Sequence, residues 1–144
     1  MNDRQKEARD WLNRNYTEWK ELQKLKQRLE LSESMLSNGV GRLTKNEIQV
    51  DHAGNSQEEK LIETSFLRQQ VEERLTSLDR ADALTIEIIG TITNSEQRLV
   101  LISRYILRDS WAKIERENNY SRRSLFRLHE KALSEAYQRI TVIK

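Results

Sequence analysis

Apolar residues recur at helical spacing along the first third of the chain. Ala8, Leu12, Trp19, Leu22, Leu29 and Leu36 step by three, four or seven, and Trp11, Tyr16 and Leu25 widen the stripe. The spacing predicts an amphipathic helix over about 3–37, roughly 50 Å long at 1.5 Å per residue. Asn15, Lys26 and Glu33 fall on or near the seam, which suits a paired helix better than a long regular zipper. The pattern stops in NGVGRLTKNEIQVDHAGNS, residues 38–56, which holds three of the four glycines. Asn38 before Gly39 reads as a helix stop, and a connection of this length is unusual in a compact domain. Ser56 with Glu59 three residues later reads as a capping box. It opens a second helix over about 57–93, carrying Leu67, Val71, Leu78, Ala81, Ile88 and Ile92, with Leu75 and Leu84 flanking. Gly90 costs about 1 kcal/mol against alanine and predicts a bend. Two long helices with one connection fold back antiparallel, and each stripe needs the other helix or a second copy of the chain to cover it.

Beyond residue 94 the elements shorten. Ser95 and Glu96 open a helix with Leu99, Leu101, Ile102, Tyr105 and Ile106 inward, and Arg108, Asp109 and Ser110 interrupt it. A very short helix follows with Trp111 and Ile114 inward. Asn118, Asn119 and Tyr120 make a turn, asparagine being one of the few non-glycine residues at home in the left-handed conformation. Ser121 then caps a final helix to about Ile140. The predicted fold is all-α: a long antiparallel helical hairpin or coiled coil over 1–94, for oligomerisation or partner binding, followed by a small three-helix unit over 95–144.

Composition narrows the chemistry. The chain has 144 residues, no cysteine and no proline. Thiolate metal sites, disulfides and a cysteine nucleophile are excluded. No apolar run approaches the ~18 residues of a membrane span, and the charged start MNDRQKEARDW does not read as a secretory signal, so a cytoplasmic protein without membrane contact is expected. His52 and His129 have no partner at ligand spacing, so no metal and no cofactor are expected. The glutamates 58, 59, 63, 72 and 73 form the polar face of a helix. With no phosphate-cradling glycine loop and no separated carboxylate pair, no catalytic residues and no enzyme are expected. The net charge of +2 hides an asymmetry. Residues 1–94 hold 14 Lys and Arg against 17 Asp and Glu, whereas 95–144 hold 11 against 6. A basic tail calls for an anionic partner, most often nucleic acid.

The last helix carries that charge in an ordered way. Leu125, Leu128, Ala132, Ala136 and Ile140 form its apolar stripe, with Leu133 beside it. At 100° per residue Arg123, Phe126, Arg127 and Glu130 face the other way, Ser124 and Lys131 lie on the flank, and Arg122 sits in the first turn. A short helix, a tight turn and a longer basic helix make a helix-turn-helix pattern, in which the N-terminal end of the second helix enters the major groove. Arginine there can bond a guanine edge or grip a phosphate, and Ser121 with the helix N-terminus adds donors for a backbone phosphate. An exposed basic face can also be simply solvated.

The stretch KIERENNYSRRSLFRLHEKAL, residues 113–133, resembles the helix-turn-helix of region four of bacterial sigma factors. Ile114, Tyr120, Ser121, Leu125, Ala132 and Leu133 fall on that family's pattern. Glu115 replaces a small residue, which implies looser packing of the two helices, and Asn118-Asn119 replaces Leu-Gly. Over about 96–137 the chain also resembles the small ArpU-like regulators of phages and prophages. That resemblance implies a sequence-specific, double-stranded-DNA-binding transcription regulator of phage gene expression. Carried onto this chain, base contacts fall to Arg122, Arg123, Ser124, Phe126 and Arg127, and phosphate contacts to Lys113 and Lys131. A homodimer through the long helices would let two weak units act together. The alternatives are an RNA-polymerase-binding modulator with little DNA affinity of its own, a phage DNA-packaging recognition subunit, and a plain interaction module.

Overall fold

The computed structural model describes the backbone of residues 1–43 and 50–143 and the side chains of 1–37 and 56–143. It is all-α, as the periodicity predicts. The helices are α1 (Asp3–Leu12), α2 (Tyr16–Leu43), α3 (Val50–Gly90), α4 (Ser95–Leu101), α5 (Trp111–Asn118) and α6 (Arg122–Ile143), with a π-helical turn over Ile102–Ile106 between α4 and α5.

The first predicted helix is broken. Asn2 caps α1 through a reciprocal pair of bonds with Gln5, and the helix ends at Asn13, whose N–H reaches back to the Arg9 carbonyl. Residues 13–15 are held open by polar contacts that a hydrophobic repeat does not encode. The Arg14 guanidinium lies 3.8 Å over the Trp11 ring and donates to Thr85 Oγ1 and the Ala81 carbonyl. The buried Asn15 amide donates to Asp82 Oδ1. Both long helices also run further than expected. α2 passes through 38–43 and α3 through 50–56, so Ser56 lies inside a helix instead of capping one. Of the predicted 38–56 loop, 38–43 and 50–56 are therefore helical, and 44–49 lie outside the described residues. Gly90 ends α3 instead of bending it.

The chain divides into two compact units, one of residues 17–78 and the other of 1–16 with 79–144. In the first, α2 and α3 are antiparallel. Glu21 pairs with Arg74, Arg28 with Glu63 and Glu33 with Arg68, and the Gln57 side chain donates to the Leu36 carbonyl. Leu22, Val71 and Leu78 are buried between them, with Trp19, Leu25 and Leu29 packed alongside. Further along, the buried hydroxyls of Ser32 and Thr64 bond to each other.

The second unit gathers distant pieces of sequence. Its core joins Ala8 and Leu12 of α1, Ile88, Ile89 and Ile92 around the end of α3, Leu101 and Tyr105, and Ala132, Leu133, Ala136 and Ile140 of α6. The compact units therefore do not part at 94/95, where the composition changes. Short helices alone offer too little apolar surface to close a core, and α1 with the end of α3 supplies the remainder. Gln5 strengthens the docking by donating to the Glu130 carbonyl and Ser134 Oγ on α6.

The π turn resets the helical phase. The Leu107 N–H bonds five residues back to Ile102, and the Asp109 N–H reaches Ser103. α4 starts from an Asn94 cap. Val100 takes the buried position expected for Leu99, which is 43% exposed. Past the turn, Arg108 adopts φ 59°, a conformation costly for a residue with a Cβ. Its guanidinium forks onto both oxygens of Asp82, each contact 3.0 Å, with both side chains nearly buried.

Candidate nucleic-acid interface

Local chemistry builds the helix-turn-helix in the second unit. The Ser110 side chain accepts from the Lys113 N–H and starts α5. Ile114 of α5, Val100 and Leu125 of α6 bury one another, with Trp111, Tyr120 and Leu128 around them. α5 ends at Asn119, left-handed at φ 56° and ψ 34°, as expected for asparagine at that turn. Ser121 Oγ accepts from the Ser124 N–H and caps α6. The inward stripe of α6 is Leu125, His129, Ala132, Leu133, Ala136 and Ile140.

All eight residues carried over for DNA contact are exposed on this unit: Lys113, Ser121, Arg122, Arg123, Ser124, Phe126, Arg127 and Lys131. They are not equally available. Arg123, Arg127 and Lys131 have no ion-pair partner among the described residues. Arg122 donates from Nε to Glu115 at 3.1 Å, so Glu115 clasps α5 to α6 where looser packing was expected. Lys113 lies 3.2 Å from Asp109 and 3.8 Å from Glu117. The Ser121 hydroxyl donates to Ser124 Oγ. A phosphate would have to displace that bond, whereas the Arg122 and Arg123 backbone N–H groups in the first turn of α6 are left over by the helix itself. Phe126 is 40% exposed and does not stand freely outward; it meets Trp111 edge to face, ring centres 5.5 Å apart.

That contact belongs to a cluster which the residue pattern alone did not assemble. The His129 ring lies 4.6 Å from Trp111 and is buried, with Nε2 2.7 Å from Tyr105 Oη. The Arg104 guanidinium sits 4.5 Å over the other aromatic partner, Trp111. Burial, reinforced by Arg104 and Arg9, lowers the His129 pKa to about 4, and burial pushes the Tyr105 phenol up. Trp111 is half-buried and serves both the core and this cluster. One signal was present in the sequence: His129 lies four residues after Leu125 and three before Ala132, on the apolar stripe. The side chain of His52 lies outside the described residues.

Among the described residues no three His, Asp or Glu side chains are grouped to hold a metal ion, and no helix is long and apolar enough to cross a membrane. No protein-family model matches the chain, and neither a curated protein nor a solved structure gives a significant match.

Proposed function

We propose that the chain is a sequence-specific DNA-binding transcription regulator of sigma-region-four type, acting on phage or prophage genes in the cytoplasm. One observation carries the reading: on a capped helix-turn-helix, Arg123, Arg127 and Lys131 are exposed along α6 with no acidic partner among the described residues. A helix entering the major groove needs unpaired cations on that face, because a cation already neutralised releases fewer counterions on binding. Arg123 and Arg127 read bases, Lys131 and the α6 N-terminus hold phosphates, and Arg122 joins them when its bond to Glu115 is exchanged. The hairpin brings two copies together. Leu31 and Met35 on α2, and Ile62 and Phe66 on α3, are 44–71% exposed and supply apolar surface for that contact. Two linked units gain affinity from effective concentration.

The test is selection from a genomic fragment library followed by titration at two salt concentrations, with molar mass read by light scattering. One enriched sequence is expected, bound by a dimer. Arg123→Ala and Arg127→Ala should each lose about 1–3 kcal/mol and relax base preference. Weak, sequence-blind binding, unchanged in both variants, would sink the assignment and point to RNA polymerase or another protein as the partner.

A further inference from the structure

The cluster around Trp111 borders a cavity of about 390 Å³ on the flank of α6. Trp111, Phe126, Tyr105 and His129 give it aromatic walls, Arg9 of α1 and Arg104 of the π turn give it positive charge, and Glu130 lines it from an exposed position. We propose that this cavity, between α1, the π turn, α5 and α6, binds a one- or two-ring aromatic carboxylate.

Each part of that description rests on a wall. Ligand cavities run from about 300 to 1,000 Å³, and one near the lower bound suits a small planar molecule and not a peptide or nucleotide chain. Trp111 and Phe126 stand edge to face at 90° and, with Tyr105 and His129 beside them, give a planar body aromatic surface to abut. Arg104 uses one of its five N–H donors on the Asp109 carbonyl, which leaves donors for an anion. Arg9 is held by Asp10 only at 3.5 Å and at the surface, a weak pair that a better-placed carboxylate can replace. The two guanidiniums disfavour a cationic ligand. Burial, together with the same positive field, keeps His129 uncharged, so His129 supplies shape and a polar ring edge and no third charge. A ligand seated here touches α1, α5 and α6 at once. On the DNA-binding reading above, which the cavity does not depend on, occupancy is then a chemical input to the helix that contacts DNA.

The experiment is calorimetric titration of the full chain, without DNA, with three probes: 1-naphthylacetate, its neutral isostere 1-naphthylacetamide, and hexanoate. Saturable one-to-one binding of 1-naphthylacetate is expected, with the amide and hexanoate each weaker by about tenfold or more. Arg9→Gln should weaken 1-naphthylacetate about tenfold, and Glu130→Gln, which removes the carboxylate lining the cavity, should tighten it severalfold. Both substitutions spare the backbone bonds of their helices, and a thermal melt of each variant verifies its fold. Absence of saturable binding by 1-naphthylacetate overturns the proposal. So does equal binding of the amide, or an Arg9→Gln variant that melts normally and binds as well as the parent. Because no DNA is present, failure here leaves the DNA-binding reading standing, and failure of that reading leaves this one standing.

Discussion

His129 makes the second unit sensitive to acid. Its pKa falls from 6.5 to about 4 on folding, so the fold favours the neutral ring. The stabilisation is fully present above the unfolded value and is lost as pH falls through the window from 6.5 toward 4. Unfolding free energy should therefore drop by about 3 kcal/mol across that window, and His129→Gln should lose most of this slope. Urea titrations at several pH values between neutrality and about 4.5 check it. Asp82 anchors the same unit through an ion pair. It is nearly buried and receives the Arg108 fork and the Asn15 amide. Arg108→Ala leaves a buried carboxylate without its counter-charge and should cost about 3–5 kcal/mol. Replacing Arg108 and Asp82 together by Met and Leu should recover much of that loss, measured in the same titration.

The parts legible in the sequence are those fixed by neighbours within a few residues. The stripe of α6, the Ser121 cap, the start of α5 at Ser110 and the left-handed Asn119 all follow from local chemistry. Asn119→Val should accordingly destabilise by about 1–2 kcal/mol while Asn119→Gly is tolerated, a difference readable in thermal melts. Other elements depend on residues far away in the chain. The break at 13–15 is invisible to periodicity because Arg14 and Asn15 answer to Ala81, Asp82 and Thr85. The π turn is equally hidden: the Leu107–Ile102 and Asp109–Ser103 backbone bonds that define it leave no mark in the apolar spacing. Glycines at 39, 41 and 54 suggested a long loop, yet the helices run through all three, since the antiparallel packing further along outweighs a propensity cost of about 1 kcal/mol each. At the candidate interface the exposure of the eight residues was legible one by one. Which were already paired was not, because Glu115 with Arg122 and Trp111 with Phe126 meet across the turn.

Where the molecule divides is the largest difference from expectation. Charge composition puts a boundary at 94/95, but the core of the unit that holds the helix-turn-helix takes Ala8, Leu12, Ile88, Ile89 and Ile92 from before it. A fragment of residues 95–144 should therefore fail to melt cooperatively, and circular dichroism with amide peak dispersion checks this. A sharp, cooperative melt of that fragment would mean that α1 and the end of α3 are dispensable. A chain lacking only residues 1–13 tests α1 alone: it should lose stability, because α1 brings Ala8 and Leu12 to the core shared with α6 and carries the Gln5 bonds.

Those Gln5 bonds span 125 and 129 positions of sequence. During synthesis α1 leaves the ribosome long before α6 exists to receive it. The hairpin of residues 17–78, by contrast, has all its partners once α3 has emerged, so it closes first and shortens the effective loop that α1 must bridge. Docking of α1 onto α6 is then a late event in folding. A polypeptide interrupted anywhere before α6 carries Ala8 and Leu12 unpaired, and it displays an apolar segment of the kind that chaperones and proteases recognise. The fold thus makes assembly of the second unit wait for the emergence of α6, and a chain interrupted before it lacks both the basic helix and the core that α1 completes.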